Sequence, residues 1–174
     1  MLILLTGGSA CGKSAFAETL CMRSPAPRFY LAAMQPYGEE GAMRVERHRA
    51  LRAGKGFETV ERYRDYASLK LPGRGTVLLE CICNLTANEM FDEDGTMTDP
   101  RERVVEGVRA LTAQCERLFV ITNDVGSDGM DYDGGTREYV RALGDINARL
   151  SAMADTVIEM VAGIPIVLKG EIPE

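Results

Sequence analysis

Short apolar runs alternate with amphipathic stretches along the 174-residue chain, an order typical of a wound α/β sheet. The amphipathic stretches predict helices at residues 13–22, 38–54, 99–115 and 136–153. The apolar runs predict strands at residues 2–6, 28–33, 76–82 and 117–123, an extended piece at 56–61, and one or two strands within 156–170. Since no repeat, low-complexity tract or linker interrupts this pattern, we expect one domain spanning residues 1–174.

The composition narrows the classes of function. Hydrophobic residues make up 45% of the chain and charged residues 26%, which is typical of a globular protein with a substantial core. The formal net charge is -6, so general nucleic-acid binding is not expected, because neutralising phosphates requires an excess of positive charge. We expect no membrane span, since no apolar run approaches the roughly 20 residues that cross a bilayer.

Five cysteines are present, with no C-x-x-C pair and a single histidine, so the sequence does not indicate a zinc site. Cys81 and Cys83 are two positions apart in an apolar run, so we expect them to face the same side of a strand, within the core. The odd cysteine count and the lack of an export signal predict reduced thiols and a cytoplasmic protein.

The first predicted strand leads directly into GGSACGKS, which has the form G-x-x-x-x-G-K-S and precedes a predicted helix. In such a loop the backbone N–H groups surround a phosphate, the lysine reaches the β and γ phosphates, and the serine hydroxyl binds Mg²⁺. With the alternating pattern, this loop predicts a P-loop NTPase-like fold, a mostly parallel sheet with flanking helices. The predicted nucleotide-binding residues of the loop are Gly7, Gly8, Ser9, Ala10, Cys11, Gly12, Lys13 and Ser14.

P-loop proteins generally have a second acid near the metal, at the end of a neighbouring strand. Glu80 follows four strand residues of the run TVLLE and is the candidate. We therefore predict a magnesium site formed by Ser14 and Glu80. The alternative is that Glu80 is a turn-facing glutamate where the strand ends.

The segment RVERHRALRAGK, residues 44–55, places four arginines and a lysine around His48, the only histidine of an acidic chain. On a helix, Arg44, His48 and Arg52 share one face. Nearby cations disfavour the imidazolium form, so they favour a neutral, nucleophilic His48, and guanidinium groups bind phosphate oxygens. We interpret His48 as a nucleophile toward phosphorus. The alternative is an ordinary solvated helix face.

These motifs together resemble the bifunctional adenosylcobinamide kinase / adenosylcobinamide-phosphate guanylyltransferase family of cobalamin assembly. The resemblance runs nearly from end to end of the chain. It is carried by TGGSACGKSAFAE, FYLAA, RVERHRALR with FETVE, LLECICNLTANEMF, VITNDVG, GDINARLSAMADTV and VAGIPIVLK.

The resemblance implies two reactions: phosphorylation of adenosylcobinamide with GTP or ATP, then GMP transfer from GTP to the resulting phosphate through a guanylylated histidine. The histidine falls on His48, with Lys13 as a second catalytic residue. The resemblance further implies Mg²⁺, a corrinoid substrate and a homotrimer, although the sequence pattern itself does not indicate an oligomeric state. The positions that match nucleotide contacts of the family, besides the phosphate loop, are Ala32, Ala33, Arg49, Arg52, Glu61 and Glu80.

One stretch departs from the family pattern. Relatives have an aromatic–Arg–Asp run before the Gly-x-x-Asn of the late helix, where this chain has Tyr139, Val140 and Arg141. The loss of a carboxylate predicts weaker kinase activity or corrinoid binding. Two alternatives therefore stay open: another small P-loop metabolite kinase, which needs no histidine nucleophile, and a GTP-binding relative that has lost kinase activity.

Overall fold

The computed structural model describes residues 1–36, 38–126 and 129–173, and at positions 40, 44, 48, 51 and 52 it describes the backbone alone. Seven strands and five helices occur in the described ranges. Their bounds are β1 Leu2–Thr6, α1 Lys13–Arg23, β2 Arg28–Ala32, α2 Gly38–Arg52, β3 Phe57–Glu61, β4 Thr76–Glu80, α3 Ile82–Met90, α4 Arg101–Gln114, β5 Arg117–Ile121, α5 Gly134–Met153, β6 Thr156–Val161 and β7 Ile164–Lys169.

The strands form one sheet in the order β3-β2-β4-β5-β1-β6-β7. All neighbouring pairs are parallel except β6 and β7, which form an antiparallel hairpin at one edge. The predicted fold class, a P-loop NTPase-like sheet that is mostly parallel, is confirmed. Because the strands are parallel, the residues that follow β1, β2, β3, β4 and β5 meet at one edge of the sheet, where such folds bind ligands.

Helices cover both faces of the sheet. Leu2 and Leu4 of β1 pack in one apolar cluster with residues of α3, α4 and α5, whereas Ile3 and Leu5 pack in a second cluster with residues of α1. This division follows from the period of two in a strand, which sends alternate side chains to opposite faces. A strand buried on both sides reads as a continuous apolar run, as LILLT does.

The predicted strand at 76–82 is wrong after Glu80, so its two cysteines do not lie on a strand. Their predicted place within the core is confirmed, because Cys83 belongs to the buried core and Cys81 packs against it. β4 ends at Glu80, and the apolar residues that follow belong to α3, which the pattern analysis missed. Cys81 precedes the first residue of that helix, and Cys83 lies in its first turn. An apolar run of this length does not distinguish a strand from the start of a buried helix, which explains the error.

The other predicted elements are present, with bounds that differ by no more than two residues. One of these differences has a local cause. α5 begins at Gly134, two residues before the predicted start, because the side chain of Asp133 accepts a hydrogen bond of 2.8 Å from the backbone N–H of Thr136 and caps the helix. Within the described ranges, no helix is both long and apolar enough to cross a membrane.

Candidate nucleotide-binding site

The phosphate loop lies between β1 and α1, and its backbone conformation depends on glycine. Gly7 has a φ of 134°, and a Cβ added there would lie 2.5 Å from the carbonyl oxygen of Met160 on β6. Gly12 has a φ of 99° at the position that caps α1. Side chains at these two positions would be strained, so the sequence G-x-x-x-x-G is required by the turn itself.

Lys13 carries the cation of this loop and is only 6% exposed. Its Nζ donates hydrogen bonds to the carbonyl oxygens of Gly7, at 2.8 Å, and Gly8, at 2.5 Å. The ammonium group is therefore held inside the curve of the loop, at the N-terminus of α1. The positive end of the helix and the lysine act in the same place, which is the electrostatic environment that a phosphate group requires.

A cavity of about 530 Å³ opens beside the loop. Its wall combines the phosphate loop with residues from the carboxyl ends of β2, β4 and β5 and with one residue of α2. The lining residues are Ser9, Ala10, Cys11, Gly12, Lys13, Ser14, Ala15, Glu18, Tyr30, Met34, Arg47, Glu80, Cys81, Cys83, Asn84, Ile121 and Asn123. The sequence predicted the loop and Glu80 as parts of one site, and the structure brings them together.

Two of the predicted acidic residues end neighbouring strands in register. Ala32, the last residue of β2, pairs with Glu61 of β3 on one side and with Glu80 of β4 on the other. The backbone N–H of Ala33 also donates to the carbonyl oxygen of Glu80, at 3.2 Å. The structure therefore places Glu61, Ala32, Ala33 and Glu80 in one row along the ligand-binding edge of the sheet.

Glu80 is only 8% exposed and its carboxylate accepts a hydrogen bond from the hydroxyl of Tyr30. The Ser14 hydroxyl lines the same cavity. One carboxylate and one hydroxyl suit Mg²⁺, which prefers oxygen ligands and takes the remainder from phosphate groups and water. In the described part of the chain, no group of three or more His, Cys, Asp or Glu residues is arranged to hold a metal ion on its own. The residues thus fit a magnesium ion that binds together with a nucleotide.

Helix α2 borders two cavities. Arg47 lines the cavity of the phosphate loop, whereas Arg49 lines a second cavity of about 440 Å³ together with Glu61 and Tyr63. Arg49 and Glu61 form an ion pair, and the Tyr63 hydroxyl lies 3.4 Å from the Glu61 carboxylate. Burial and the adjacent Glu61 raise the pKa of the Tyr63 hydroxyl, so Tyr63 is a hydrogen-bond donor across the neutral range.

The remaining predicted residues of α2 lie partly outside the described structure. The backbone of His48 and of Arg52 is helical, as predicted, but their side chains and that of Arg44 are outside the described residues. His48 follows Arg47 and precedes Arg49 in the helix, so its backbone lies between residues that line the two cavities.

Several residues of the site were not predicted from the sequence. Arg47 was counted only as part of a basic segment, and Asn123 only as part of the stretch VITNDVG. Asn123 donates from Nδ2 toward the sulfur atoms of Cys81, at 3.6 Å, and Cys83, at 3.5 Å. The signal that points to Asn123 is its position just after β5, at the same sheet edge as the phosphate loop.

Cys81 and Cys83, which both line this cavity, have thiol pKa values that are shifted in opposite directions. Hydrogen bonds from the Cys81 thiol and from Asn123 lower the pKa of Cys83 to about 6. Its position in the first turn of α3 also favours a thiolate, because the helix N-terminus is positive. The hydrogen bond to Cys83 and burial raise the pKa of Cys81. These opposite shifts favour the thiolate form at Cys83 over Cys81.

Comparison with known families identifies the family of this chain. The model of the cobinamide kinase / cobinamide phosphate guanyltransferase family (CobU) matches residues 3–168 of the chain. The chain belongs to this family. The family resemblance found in the sequence is thereby confirmed, and with it the prediction of an enzyme of this class.

Characterised relatives match over nearly the full length. The bifunctional adenosylcobalamin biosynthesis protein CobU of Escherichia coli is 32% identical over 97% of this chain and 100% of its own length. The protein of the same name from Salmonella typhimurium shows the same identity and coverage. The bifunctional adenosylcobalamin biosynthesis protein CobP of Pseudomonas aeruginosa is 28% identical, with 97% of each chain covered.

Solved structures show likeness in fold alone. The flagellar accessory protein FlaH of Methanocaldococcus jannaschii superposes with a TM-score of 0.51 at 11% identity, covering 98% of this chain and 78% of its own. A Pyrococcus horikoshii protein described as PH0250 superposes with a TM-score of 0.53 at 12% identity, covering 97% of this chain and 86% of its own. Both likenesses are consistent with the P-loop NTPase-like sheet.

Proposed function

We propose that this chain catalyses both reactions of its family: phosphorylation of adenosylcobinamide, and GMP transfer from GTP to adenosylcobinamide phosphate through a guanylylated His48. The names of the full-length relatives support the substrate class. The observation that carries the proposal is that Arg47 of α2 lines the same cavity as Lys13 and Glu80. The helix that contains His48 therefore borders the nucleotide cavity.

The phosphate loop holds the triphosphate in this proposal. Lys13 and the backbone N–H groups of the loop bind the β and γ phosphates, and Ser14 and Glu80 hold Mg²⁺, which neutralises phosphate charge when bound. GTP or ATP is the phosphoryl donor, and GTP is the guanylyl donor. The second cavity, with Arg49, Glu61 and Tyr63, offers charged and hydroxyl groups to the rest of the nucleotide.

The guanylyl step is a displacement at the α phosphorus. A ring nitrogen of neutral His48 forms a P–N bond as the P–O bond to pyrophosphate breaks, and pyrophosphate leaves with the electron pair. A phosphate oxygen of the corrinoid then attacks the same phosphorus, and the P–N bond breaks to regenerate the histidine. Arg47, Arg49 and Arg52 flank the nucleophile in sequence and bind the charge that develops on phosphate oxygens.

The kinase step needs no covalent intermediate on the enzyme. The corrinoid hydroxyl attacks the γ phosphorus, and the nucleoside diphosphate leaves while Lys13 stabilises its charge. The two steps therefore share the phosphate loop but differ in their need for His48. This difference makes them separable by mutation.

Intact mass measurement tests the proposal. Incubation with GTP and Mg²⁺ is expected to add one GMP to the wild-type chain, and cobinamide phosphate is expected to remove it. The adduct should be labile in acid and stable in base, as a P–N bond is. His48→Ala should carry no GMP and lose guanylyl transfer, yet keep some kinase activity. Equal labelling of both proteins, or GDP-linked product from a chain that never carries GMP, would contradict the histidine intermediate.

We propose in addition that the chain acts as one domain in a cytoplasmic homotrimer. All five cysteines are free thiols, which suits a reducing compartment. The edge strand β7 presents exposed apolar side chains, including Ile164 at 65% and Leu168 at 59% exposure, as a surface for a second copy. Light scattering coupled to size exclusion measures the assembly directly, and a monomer at micromolar concentration would contradict this part of the proposal.

A further inference from the structure

The cavity beside the phosphate loop is also lined by a pair of cysteines that the proposed reactions do not use. Cys81 and Cys83 both line the cavity. Asn123 donates toward both sulfur atoms, at 3.6 and 3.5 Å, so a single amide group contacts the two thiols. The Tyr139 hydroxyl donates to the carbonyl oxygen of Cys83, at 3.1 Å, and fixes the backbone of this turn.

The geometry points to Cys83 as a site of reversible thiolation by low-molecular-weight disulfides, with Asn123 as the amide donor that contacts its reactive sulfur. The inference rests on two facts: both cysteines line a cavity open to small molecules, and one amide donor contacts both sulfur atoms. Cys83 is 9% exposed as a residue, so access to its sulfur runs through the cavity.

The chemistry is thiol–disulfide exchange. The Cys83 thiolate attacks one sulfur of the disulfide, a new S–S bond forms, and the old S–S bond breaks. The departing half leaves as a thiolate with the electron pair, and the other half remains on the protein as a mixed disulfide. The disulfide is the oxidant and the protein thiolate is oxidised, so electrons and atoms balance.

The consequence is a nucleotide site that depends on the thiol redox state. A tripeptide attached to Cys83 would occupy the cavity shared with Lys13 and Ser14 and exclude a triphosphate. Conversely, a bound nucleotide would cover the thiol. Two other cysteines are poorer candidates: burial raises the pKa of Cys21 and raises that of Cys115 to about 11, and neither lines the cavity. Cys11 lines the cavity from the phosphate loop, and peptide mapping distinguishes it from Cys83.

The test uses the full chain, glutathione disulfide as the probe, and intact mass with peptide mapping. One glutathione per chain is expected, located on Cys83, removable by dithiothreitol, and slowed at least tenfold by saturating GTP. Cys83→Ser should take up none, Asn123→Ala should react more slowly because the amide donor to the sulfur is lost, and the matched control Cys115→Ser should behave as wild type. The thiolated chain should lose binding of a fluorescent GTP analogue and recover it on reduction.

An adduct on Cys11 or Cys115 instead of Cys83, or no adduct after prolonged incubation, would overturn the inference. So would a thiolated chain that binds the GTP analogue with unchanged affinity. Binding of the analogue by the unmodified chain is measured first. A chain that binds no GTP contradicts the proposed function. The position of the glutathione adduct is a separate measurement, and it tests the assignment of Cys83 whether or not the chain binds GTP.

Discussion

Glu18 of α1 forms an ion pair with Lys55, which lies in the loop that follows α2. The Glu18 side chain is 10% exposed and that of Lys55 is 32% exposed, so the pair is largely removed from water. Glu18 also lines the nucleotide cavity. The pair therefore connects the helix of the phosphate loop with the end of the helix that contains His48, and it fixes their relative position.

Removal of Lys55 should affect both stability and catalysis. Lys55→Ala leaves Glu18 without its cation, and we expect the free energy of unfolding to fall by about 1–3 kcal/mol, less than for a fully buried pair because Lys55 is partly exposed. We also expect slower GMP labelling of the chain. Denaturant unfolding of Lys55→Ala, Glu18→Ala and the double variant gives the coupling energy. Additive effects of the two single variants would show that the pair has no positioning role.

Removal of Lys13 should abolish triphosphate binding. Lys13→Ala takes away the cation that lies inside the phosphate loop, and the loop backbone alone is expected to bind GTP too weakly to measure by calorimetry. The matched control is Lys70→Ala, an exposed lysine outside the cavity. Circular dichroism establishes that both variants are folded. Normal GTP affinity in folded Lys13→Ala would refute the assignment of the phosphate loop.

Arg47 should contribute to guanylyl transfer. Its side chain lines the cavity of the phosphate loop, so we expect Arg47→Ala to slow GMP labelling about a hundredfold, the scale for loss of one donor to a developing charge. Arg47→Lys should be intermediate, because lysine keeps the charge but not the planar pair of donors. Arg109→Ala, on the exposed face of α4, is the control. Unchanged labelling in Arg47→Ala would mean that this arginine only faces solvent.

Val140 and Arg141 should limit the kinase step. Val140 occupies the space that a Cβ on Gly126 would need, so it packs against the loop that follows β5. We expect the natural chain to be slower as a kinase than as a guanylyltransferase, and the double change Val140→Arg with Arg141→Asp to raise the kinase rate. Separate assays of phosphorylation and of GMP transfer measure the two steps. If the natural chain performs both steps equally fast, Val140 and Arg141 do not weaken the kinase step.

Alkylation of Cys83 should show an unusual dependence on pH. The thiolate is the reactive form, and the pKa of Cys83 is lowered to about 6, so its rate should be half-maximal near pH 6 and level off above it. The titratable groups that contact it or share its cavity are Cys81, Tyr139, Cys11, Lys13, Glu18, Arg47 and Glu80.

Cys115 is the internal reference for this experiment. Burial raises its pKa to about 11, so its rate should still be rising at pH 9. Iodoacetamide labelling resolved by peptide mass spectrometry follows both sites in one sample. A Cys83 rate that keeps rising to pH 9 would contradict the lowered pKa.

The sequence predicted the features that depend on local pattern. The phosphate loop and its position between a strand and a helix are both encoded within a few residues. The helix α3 was missed because its first residues continue the apolar run of β4, and burial on all sides removes the periodicity that distinguishes a helix.

The relationships that join distant segments were not predictable from the sequence. Asn123 reaches cysteines that lie 40 and 42 positions earlier, and this contact depends on β5 lying next to β4. Arg47 was missed for a different reason. The spacing of charged residues predicts which of them share a face of α2. It does not predict which face borders the cavity, because that depends on how α2 packs in the folded protein.

The pairing of β1 has a consequence for how the enzyme becomes functional during synthesis. β1 is flanked by β5 and β6, whose residues follow it by more than a hundred positions in the chain. Gly7 is in turn held against Met160 of β6. The phosphate loop is thus translated early but enclosed late, and contacts of such long sequence separation form slowly. A nascent chain that has released only its first helix from the ribosome has the complete GKS motif but lacks β5 and β6, the strands that flank β1 in the folded protein.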